Sequence, residues 1–422
     1  MLLRFAATNH ASIADRQELS MIAVDDHEGL AVGDVPGMPE VLVLPVVAIF
    51  GPNASGKSNI LDALAYMCCA VEYSHQRWLP DKPIPRRPYL LTDGQTQPSV
   101  YEIDFVVGGV RHNYGFSLDD ETVVEEWLYS YPERRRRLLF ERMRDEPIRF
   151  GPTLPGQKRL VERSVRPNSL FLSAAFANNL QATASIYRWF SRRCRIANAV
   201  NEESRLAATF KVMEKESRQD VLDLLLYADL GVTGMEIKKR GVGQEERDRP
   251  HRILNTPEIN NRDVDLDTAL SCEVEVHHKV GSDIGTLPFK SESTGAKTWL
   301  SLAGPVLTTL KTGSVLVVDE LDARLHPSLT AELVRMFQDP SINKNGAQLV
   351  FNSHDVSLLG RNVRFRLRRD QVWFTEKDEF GATKLFPLTE YSDGLDNVER
   401  AYLRGRYGAV PFFDDLILEH VS

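Results

Sequence analysis

The sequence has no apolar run of the roughly 18 to 20 residues that a bilayer span requires; its longest, Val41 to Phe50, is strand-sized and interrupted by Pro45. Polar Thr8, Asn9 and His10 follow Met1 to Phe5 directly, so no signal-peptide pattern is present, and a cytoplasmic location with no membrane partner is expected. Cysteine is scarce. Cys68, Cys69, Cys194 and Cys272 lack metal-ligand spacing, and an adjacent pair on a helical stretch suits neither a disulfide nor zinc, so they read as structural thiols. Nor does basic charge prevail: 51 Lys and Arg against 59 Asp and Glu leave a net charge of -8. That excludes a protein coating nucleic acid over its whole surface, while leaving room for a local basic patch. What remains, 422 residues with 42% hydrophobic and 26% charged, is enough for one large or two modest domains.

Three kinds of segment follow one another. From Met1 to about Tyr73 the order is strands, a glycine-bearing turn and a helix: Val43 to Phe50 is β-rich, Gly51 to Lys57 is the turn, and Ser58 to Val71 is helical. The middle begins as an antiparallel sheet. Tyr101 to Val107 and Arg111 to Leu118 alternate around Gly108-Gly109 as a hairpin, and Glu125 to Tyr131 and Arg137 to Arg142 continue it. Ser185 to Tyr227 then takes a helical period, with Leu206, Phe210, Met213, Val221, Leu224 and Leu225 on a shared face. Gly241 to Asp263, charged and without apolar period, is expected to be a mobile loop. The last part returns to strand-helix alternation, with strands at Leu270 to Val280, Ser314 to Val318 and Gln348 to Asn352 and helices at Gly295 to Leu310 and His326 to Phe337. Such alternation builds a parallel sheet, here expected to unite the first and last thirds of an α/β fold.

The chemistry sits at four places. Gly51-Pro52-Asn53-Ala54-Ser55-Gly56-Lys57-Ser58 fits G-x-x-x-x-G-K-[ST] between a β run and a helix, the context that makes the pattern a P-loop. Backbone N–H groups there surround phosphates, Lys57 reaches the β and γ phosphates of ATP, and Ser58 takes a magnesium ion. Asn53, Ala54, Ser55, Gly56, Lys57, Ser58 and the following Asn59 are therefore the candidate ATP contacts. Val315-Leu316-Val317-Val318-Asp319-Glu320 is a continuous apolar strand ending in two carboxylates. A strand buried on both faces can carry charge only at its end, so Asp319 is the candidate Mg2+ ligand and Glu320 the candidate general base. Gln348 to Asn352 is a second such strand, and His354 beyond it is placed to hold a γ-phosphate oxygen and the attacking water. Glu292-Ser293-Thr294-Gly295-Ala296-Lys297 precedes a helix as a second small-residue turn, which serves either another subunit's nucleotide or simply as a helix cap.

These elements, with Leu321-Asp322 directly after Glu320, resemble the ABC-type ATPase heads of SMC proteins, Rad-type break-repair ATPases and OLD nucleases, in the order P-loop, signature turn, acidic strand, D-loop, switch histidine. The resemblance implies a head built from residues 1–180 (P-loop and β subdomain) and 265–422 (signature, acidic strand, switch histidine, tail), with 181–264 as a helical insertion and mobile loop. It further implies that two heads sandwich two ATP molecules, with Ser293 and Gly295 of one copy facing the nucleotide held by Lys57 of the other and Asp322 at the seam. The signature departs from the family, reading Glu-Ser-Thr-Gly-Ala for Leu-Ser-Gly-Gly-Gln. The opening Met1-Leu2-Leu3-Arg4-Phe5 with Asn9 and Ser12, the Arg369 to Phe374 strand and the ending Tyr402 to Pro411 are similar to prokaryotic AAA-labelled ATPases related to AbiLi and RloA, the group containing the AriA ATPase of the PARIS anti-phage system. That implies a defence ATPase, assembled from head-to-head dimers, that answers a phage trigger and controls a partner effector, often a TOPRIM-type nuclease. No TOPRIM cluster of its own follows His354. An SMC-like repair ATPase is the rival, but it calls for a long coiled coil or a strong DNA surface.

Other residues invite plainer accounts. Arg134 to Arg137 beside Tyr129 and Tyr131 fits a solvated hairpin turn, or a contact with phosphate backbone or an acidic protein. Arg192, Arg193 and Arg195, placed on a helix, read alike. Gln181 has no diagnostic spacing, and Arg404, Arg406 and Tyr407 are expected to tie the tail to the fold or to a neighbour.

Overall fold

The computed structural model describes residues 1–25, 29–30, 33–36, 38–197, 202–215, 218–239, 272–360, 366–391 and 397–408. At its centre lies a six-stranded sheet in the order Cys194–Ala197, Val315–Val318, Gln348–Asn352, Val46–Phe50, Val372–Lys377, Thr383–Pro387. The first five strands run parallel and the last turns back antiparallel. Period-2 alternation divides their side chains between two cores. Val47, Ile49, Val315, Val317 and Val350 face a layer with Ile60, Leu61 and Leu64 of the helix Lys57–Arg77. Val46, Ala48, Phe50, Leu316, Leu349 and Phe351 face the opposite layer, with Trp299 and Leu300 of the helix Thr294–Thr312 and Leu333 and Phe337 of Pro327–Gln338. Both faces are covered, as a parallel sheet requires.

A seven-stranded antiparallel sheet, Arg149–Phe150, Arg137–Met143, Val123–Tyr131, Val110–Leu118, Ser99–Val107, Leu2–Thr8 and Gln17–Ser20 in spatial order, packs on the Lys57–Arg77 helix through the first core. Its expected hairpin is there. Gly108 and Gly109 take φ of 59° and 73°, positive at both central residues as a two-residue turn of matching twist demands. Within this sheet Glu126 is fully buried and accepts from Tyr114 Oη (3.0 Å) and from the backbone N–H groups of Phe171 (2.5 Å) and Leu172 (3.0 Å), with Arg142 3.8 Å away. The carboxylate so joins the sheet to the start of the helix Phe171–Ala177. Burial nevertheless pushes its pKa up, against the lowering effect of Arg142 and those donors.

Two stretches differ from the sequence reading. Ser185 to Tyr227 is not continuously helical: after Gln181–Arg188 and a π turn at Trp189–Arg193, Cys194–Ala197 becomes a strand of the central sheet, paired in parallel with Val315–Val318. Arg195 thus lies on a strand. A four-residue strand at a sheet edge is too short to show a period of its own. The expected helical face is realised afterwards, in Glu202–Lys215 and Arg218–Tyr227, whose Phe210, Met213, Val221, Leu224 and Leu225 join the second core. The strand found at Cys272–Val280 belongs not to the parallel sheet but to a separate antiparallel one with Val232–Lys239 and Asp283–Pro288. The loop expected at Gly241 to Asp263 lies outside the described residues.

Removing the buried carboxylate strands two helix N–H groups and takes the counter-charge from the Arg142 guanidinium, which keeps its bonds to the carbonyls of Ser169, Arg166 and Pro167. Glu126→Ala is expected to lower stability in urea unfolding by about 3 kcal/mol, and Glu125→Ala, half-exposed on the opposite face of the strand, by under about 0.5 kcal/mol.

Candidate functional site

Three adjacent strands deliver the motifs to one edge. Phe50 leads into the P-loop, Val318 into Asp319 and Glu320, and Asn352 into Ser353 and His354; the strand carrying Asn352 lies between the other two. Val350 stands level with Val47 on one side and Val317 on the other, so all three end together at the carboxyl edge, where parallel sheets present ligand sites.

Gly56 caps the Lys57–Arg77 helix in a left-handed conformation, φ 102°. A Cβ there would collide with Thr383 Oγ1, so both its φ and the close approach call for glycine. Lys57 is 5% exposed, and its Nζ donates to the carbonyls of Gly51 (2.8 Å) and Pro52 (3.0 Å). Burial lowers its pKa, opposed by the charges of Asp322, Glu320 and Asp319, so the three acidic candidates all act on this ammonium. Ser58 and Asp319 meet through Asn352, whose Nδ2 donates to Asp319 Oδ1 (2.6 Å) and to Ser58 Oγ (3.3 Å). A hydroxyl and a carboxylate are the oxygen donors magnesium takes, and loop N–H groups with a lysine are what phosphates take, so the residues present fit Mg2+ and ATP.

Asp322 accepts from the backbone N–H of His354 (3.2 and 3.3 Å), fixing the start of the histidine turn within the same chain while the imidazole itself is exposed. Ser293 is the N-cap of Thr294–Thr312, accepting from Ala296 N–H (3.2 Å), and a Cβ at Gly295 would lie 3.1 Å from the carbonyl of Arg324. Glu292 is held by His278 Nε2 (2.6 Å). Among the described residues no hydrogen bond joins Ser293 or Gly295 to residues 51–58. Asn53 and Ala54 are exposed at the loop tip, Ala54 with a φ of 62°. Asn59 turns instead to Ser12 Oγ (2.6 Å). Gln181 is exposed at the start of its helix. Arg134 pairs with Glu40 (3.0 Å), and Arg136 lies over the Tyr129 ring (3.7 Å). Tyr402 and Tyr407 stack on Phe374 at 5.4 and 5.1 Å, which binds the tail to the strand beside the P-loop strand.

Several contributors went unread in the sequence. The Thr383 hydroxyl donates to the Ser55 carbonyl (2.9 Å) and accepts from Ser12 (2.7 Å), and Ser55 bonds Thr375 Oγ1 (2.6 Å). The hairpin Val372–Pro387 thus clamps the P-loop from the far end of the chain, and nothing in an isolated Ser or Thr announces this. His10, fully buried, bridges Tyr101 Oη (2.8 Å) and Asp62 Oδ2 (2.9 Å) on the P-loop helix, and Arg87 adds a bond to Asp62 (2.6 Å). Burial acts to raise the Asp62 pKa, but His10 and Arg87 outweigh it and hold the carboxyl below its usual range. Asn352 did leave a signal, an amide ending a strand that is otherwise apolar after Gln348.

The parallel sheet, the loop and the acidic strand end together define an α/β P-loop ATPase head with an attached antiparallel sheet. The chain belongs to the family described as "AAA domain, putative AbiEii toxin, Type IV TA system", whose model matches residues 46–360. No curated protein matches it. Among solved structures, an Smc head bound to the C-winged helix domain of ScpA is 13% identical, with 95% of this chain and 99% of that chain covered at a TM-score of 0.43. A Pyrococcus furiosus Smc head with an extended coiled coil, bound to the C-terminal domain of ScpA, is 11% identical, covering 96% and 98% at 0.38. These overlaps are too loose to bear on activity or assembly. Among the described residues no helix is long and apolar enough to cross a membrane, no group of three or more His, Cys, Asp or Glu is arranged for a metal, and Cys68, Cys69 and Cys194 are buried.

Thr383→Val keeps the shape of the clamp and removes its bonds to Ser55 and Ser12. It is expected to weaken binding of a fluorescent ATP analogue about 5- to 10-fold with little change in melting temperature. Asp62, its pKa lowered on folding, contributes stability that is present above its unfolded pKa and lost as pH falls through the folded value. Asp62→Asn should accordingly flatten the acid limb of the stability-pH curve measured by denaturant unfolding.

Proposed function

We propose that the protein binds and hydrolyses ATP with Mg2+, and that its active form is a head-to-head pair serving as a sensor and switch in prokaryotic anti-phage defence. The observation that carries the reading is the convergence of Lys57, Ser58, Asp319, Glu320 and the His354 turn on one sheet edge, with Asn352 joining the P-loop serine to the acidic strand. Ser58 and Asp319 would hold the metal, whose charge neutralises the phosphates when bound. Lys57, Asn53, Ala54, Ser55 and Gly56 would surround the phosphates. Glu320 would take the proton of the attacking water, and His354 would orient that water. Asn59, bonded to Ser12, would support the loop from behind.

Ser293 and Gly295 favour a shared site because no hydrogen bond among the described residues ties their turn to the P-loop of its own chain, so a nucleotide they touched would be held by a second copy. Asp322, whose charge acts on Lys57 and whose carboxylate accepts from the His354 N–H, would then link the two sites across the seam. The defence role rests on the terminal motifs resembling the AbiLi, RloA and AriA group, beside the AbiEii toxin and Type IV TA wording of the family description. The effector would be a separate protein, a TOPRIM-type nuclease by that resemblance, released or activated when a phage product disturbs the assembly.

Two measurements test this together, mass with and without Mg-ATP and phosphate release. Glu320→Gln should lose turnover and trap a larger ATP-dependent species, whereas Lys57→Ala should bind no nucleotide. Lys57→Ala and Ser293→Arg, each inactive alone, should regain about a quarter of wild-type turnover when mixed, because half of the pairs are then hybrid and each has one intact composite site. Turnover in Ser293→Arg alone, with mass indifferent to ATP, would mean a single-subunit enzyme.

A further inference from the structure

We propose that Asn352 is a positioning residue that sets the two metal ligands and the general base in one geometry; the inference rests on the ATPase reading above and deepens it. Its side chain is 1% exposed and engaged at both ends. Oδ1 accepts from the backbone N–H of Glu320 at 2.5 Å, while Nδ2 donates to Asp319 Oδ1 at 2.6 Å and to Ser58 Oγ at 3.3 Å. The backbone carbonyl of Asn352 also accepts from Leu321 N–H at 3.1 Å. The partners settle the orientation of the amide: a backbone N–H can only donate and an ionised carboxylate can only accept.

The strand order explains why one side chain can do this. Gln348–Asn352 lies between the P-loop strand and the acidic strand, so a residue at its carboxyl end has Ser58 on one flank and Asp319 with Glu320 on the other. Glu320 itself is a non-glycine residue in the left-handed region, φ 55°, a conformation that costs about 1 kcal/mol and persists only where surrounding bonds hold it. The backbone angles at Glu320 decide where its carboxylate points. A bond that pins its N–H therefore pins the aim of the base, and the same amide sets Asp319 relative to Ser58. Metal ligands and base are registered through one group.

Two near-isosteric variants separate the roles. Asn352→Leu loses every side-chain bond, whereas Asn352→Asp keeps the acceptor for Glu320 N–H and, assayed at a pH where both carboxyls are ionised, replaces the donor to Asp319 and Ser58 with a like charge. Amide-resolved hydrogen exchange on the nucleotide-free protein is combined with kcat and KM for Mg-ATP, using Glu320→Gln as control. The Leu variant should exchange the Glu320 amide at least about 10-fold faster, and the Asp variant at the wild-type rate. In both, kcat should fall about 10- to 100-fold, as for loss of a hydrogen bond to a charged group, with KM within about 3-fold. A purely structural role would instead show as a lowered melting temperature with kcat and exchange at Glu320 unchanged. Wild-type kcat in the Leu variant, or in the Asp variant should the Leu protein not fold, overturns the proposal while Glu320-dependent turnover of the wild type leaves the ATPase reading standing. Wild-type protein without Glu320-dependent phosphate release overturns both.

Discussion

A parallel strand covered on both faces has nowhere to put a charge except its ends, and the site depends on that constraint. Val46–Phe50, Val315–Val318 and Gln348–Asn352 are buried throughout. Their ionisable neighbours are thereby displaced to the carboxyl edge, and because the three strands lie in register the displacement brings Lys57, Asp319, Glu320 and the His354 turn to the same place. Burial that stabilises the sheet and assembly of the site are a single event.

The same economy appears in the turns that leave the strands. Gly56 and Glu320 both take left-handed backbone conformations, one because glycine tolerates it and one because the bond from its N–H to Asn352 holds it there. Around the P-loop, hydroxyls from Ser12, Thr375 and Thr383 hold the loop from elements near opposite ends of the chain. Phosphate sites need their N–H groups pre-arranged, since ordering a glycine-rich loop upon binding would consume part of the binding energy. The clamp provides that order before any ligand arrives. The aromatic stack of Tyr402 and Tyr407 on Phe374 extends the support outward, from the tail to the strand adjoining Val46–Phe50.

Beyond this head the signature turn and the antiparallel sheet have a different character. Ser293 is held by its own helix and Gly295 lies against Arg324, and among the described residues no hydrogen bond ties this turn to residues 51–58. The antiparallel sheet is fastened to the P-loop helix by aromatic packing such as Tyr66 against Tyr101 (4.9 Å) and by the buried His10 to Asp62 bond. A displacement of that sheet would therefore be felt at the helix that begins with Lys57.

The sequence alone determined what local pattern can carry. The P-loop spacing, the apolar runs ending in Asp319-Glu320 and before His354, and the Gly108-Gly109 hairpin are short-range signals, because period, glycine placement and burial act on contiguous residues. It did not reveal the strand Cys194–Ala197, too short for a period and stabilised only by its partner Val315–Val318, nor that Cys272–Val280 joins a separate sheet. Asn352 could be seen as an unexpected amide, but its three partners come from two neighbouring strand ends. Ser12 and Thr383 stand 371 residues apart, and only the closed sheet brings their hydroxyls to the same loop. Tertiary structure alone decided these contacts, because a polar side chain acquires its role from whatever the fold places within hydrogen-bond reach, and that is not written in its neighbours along the chain.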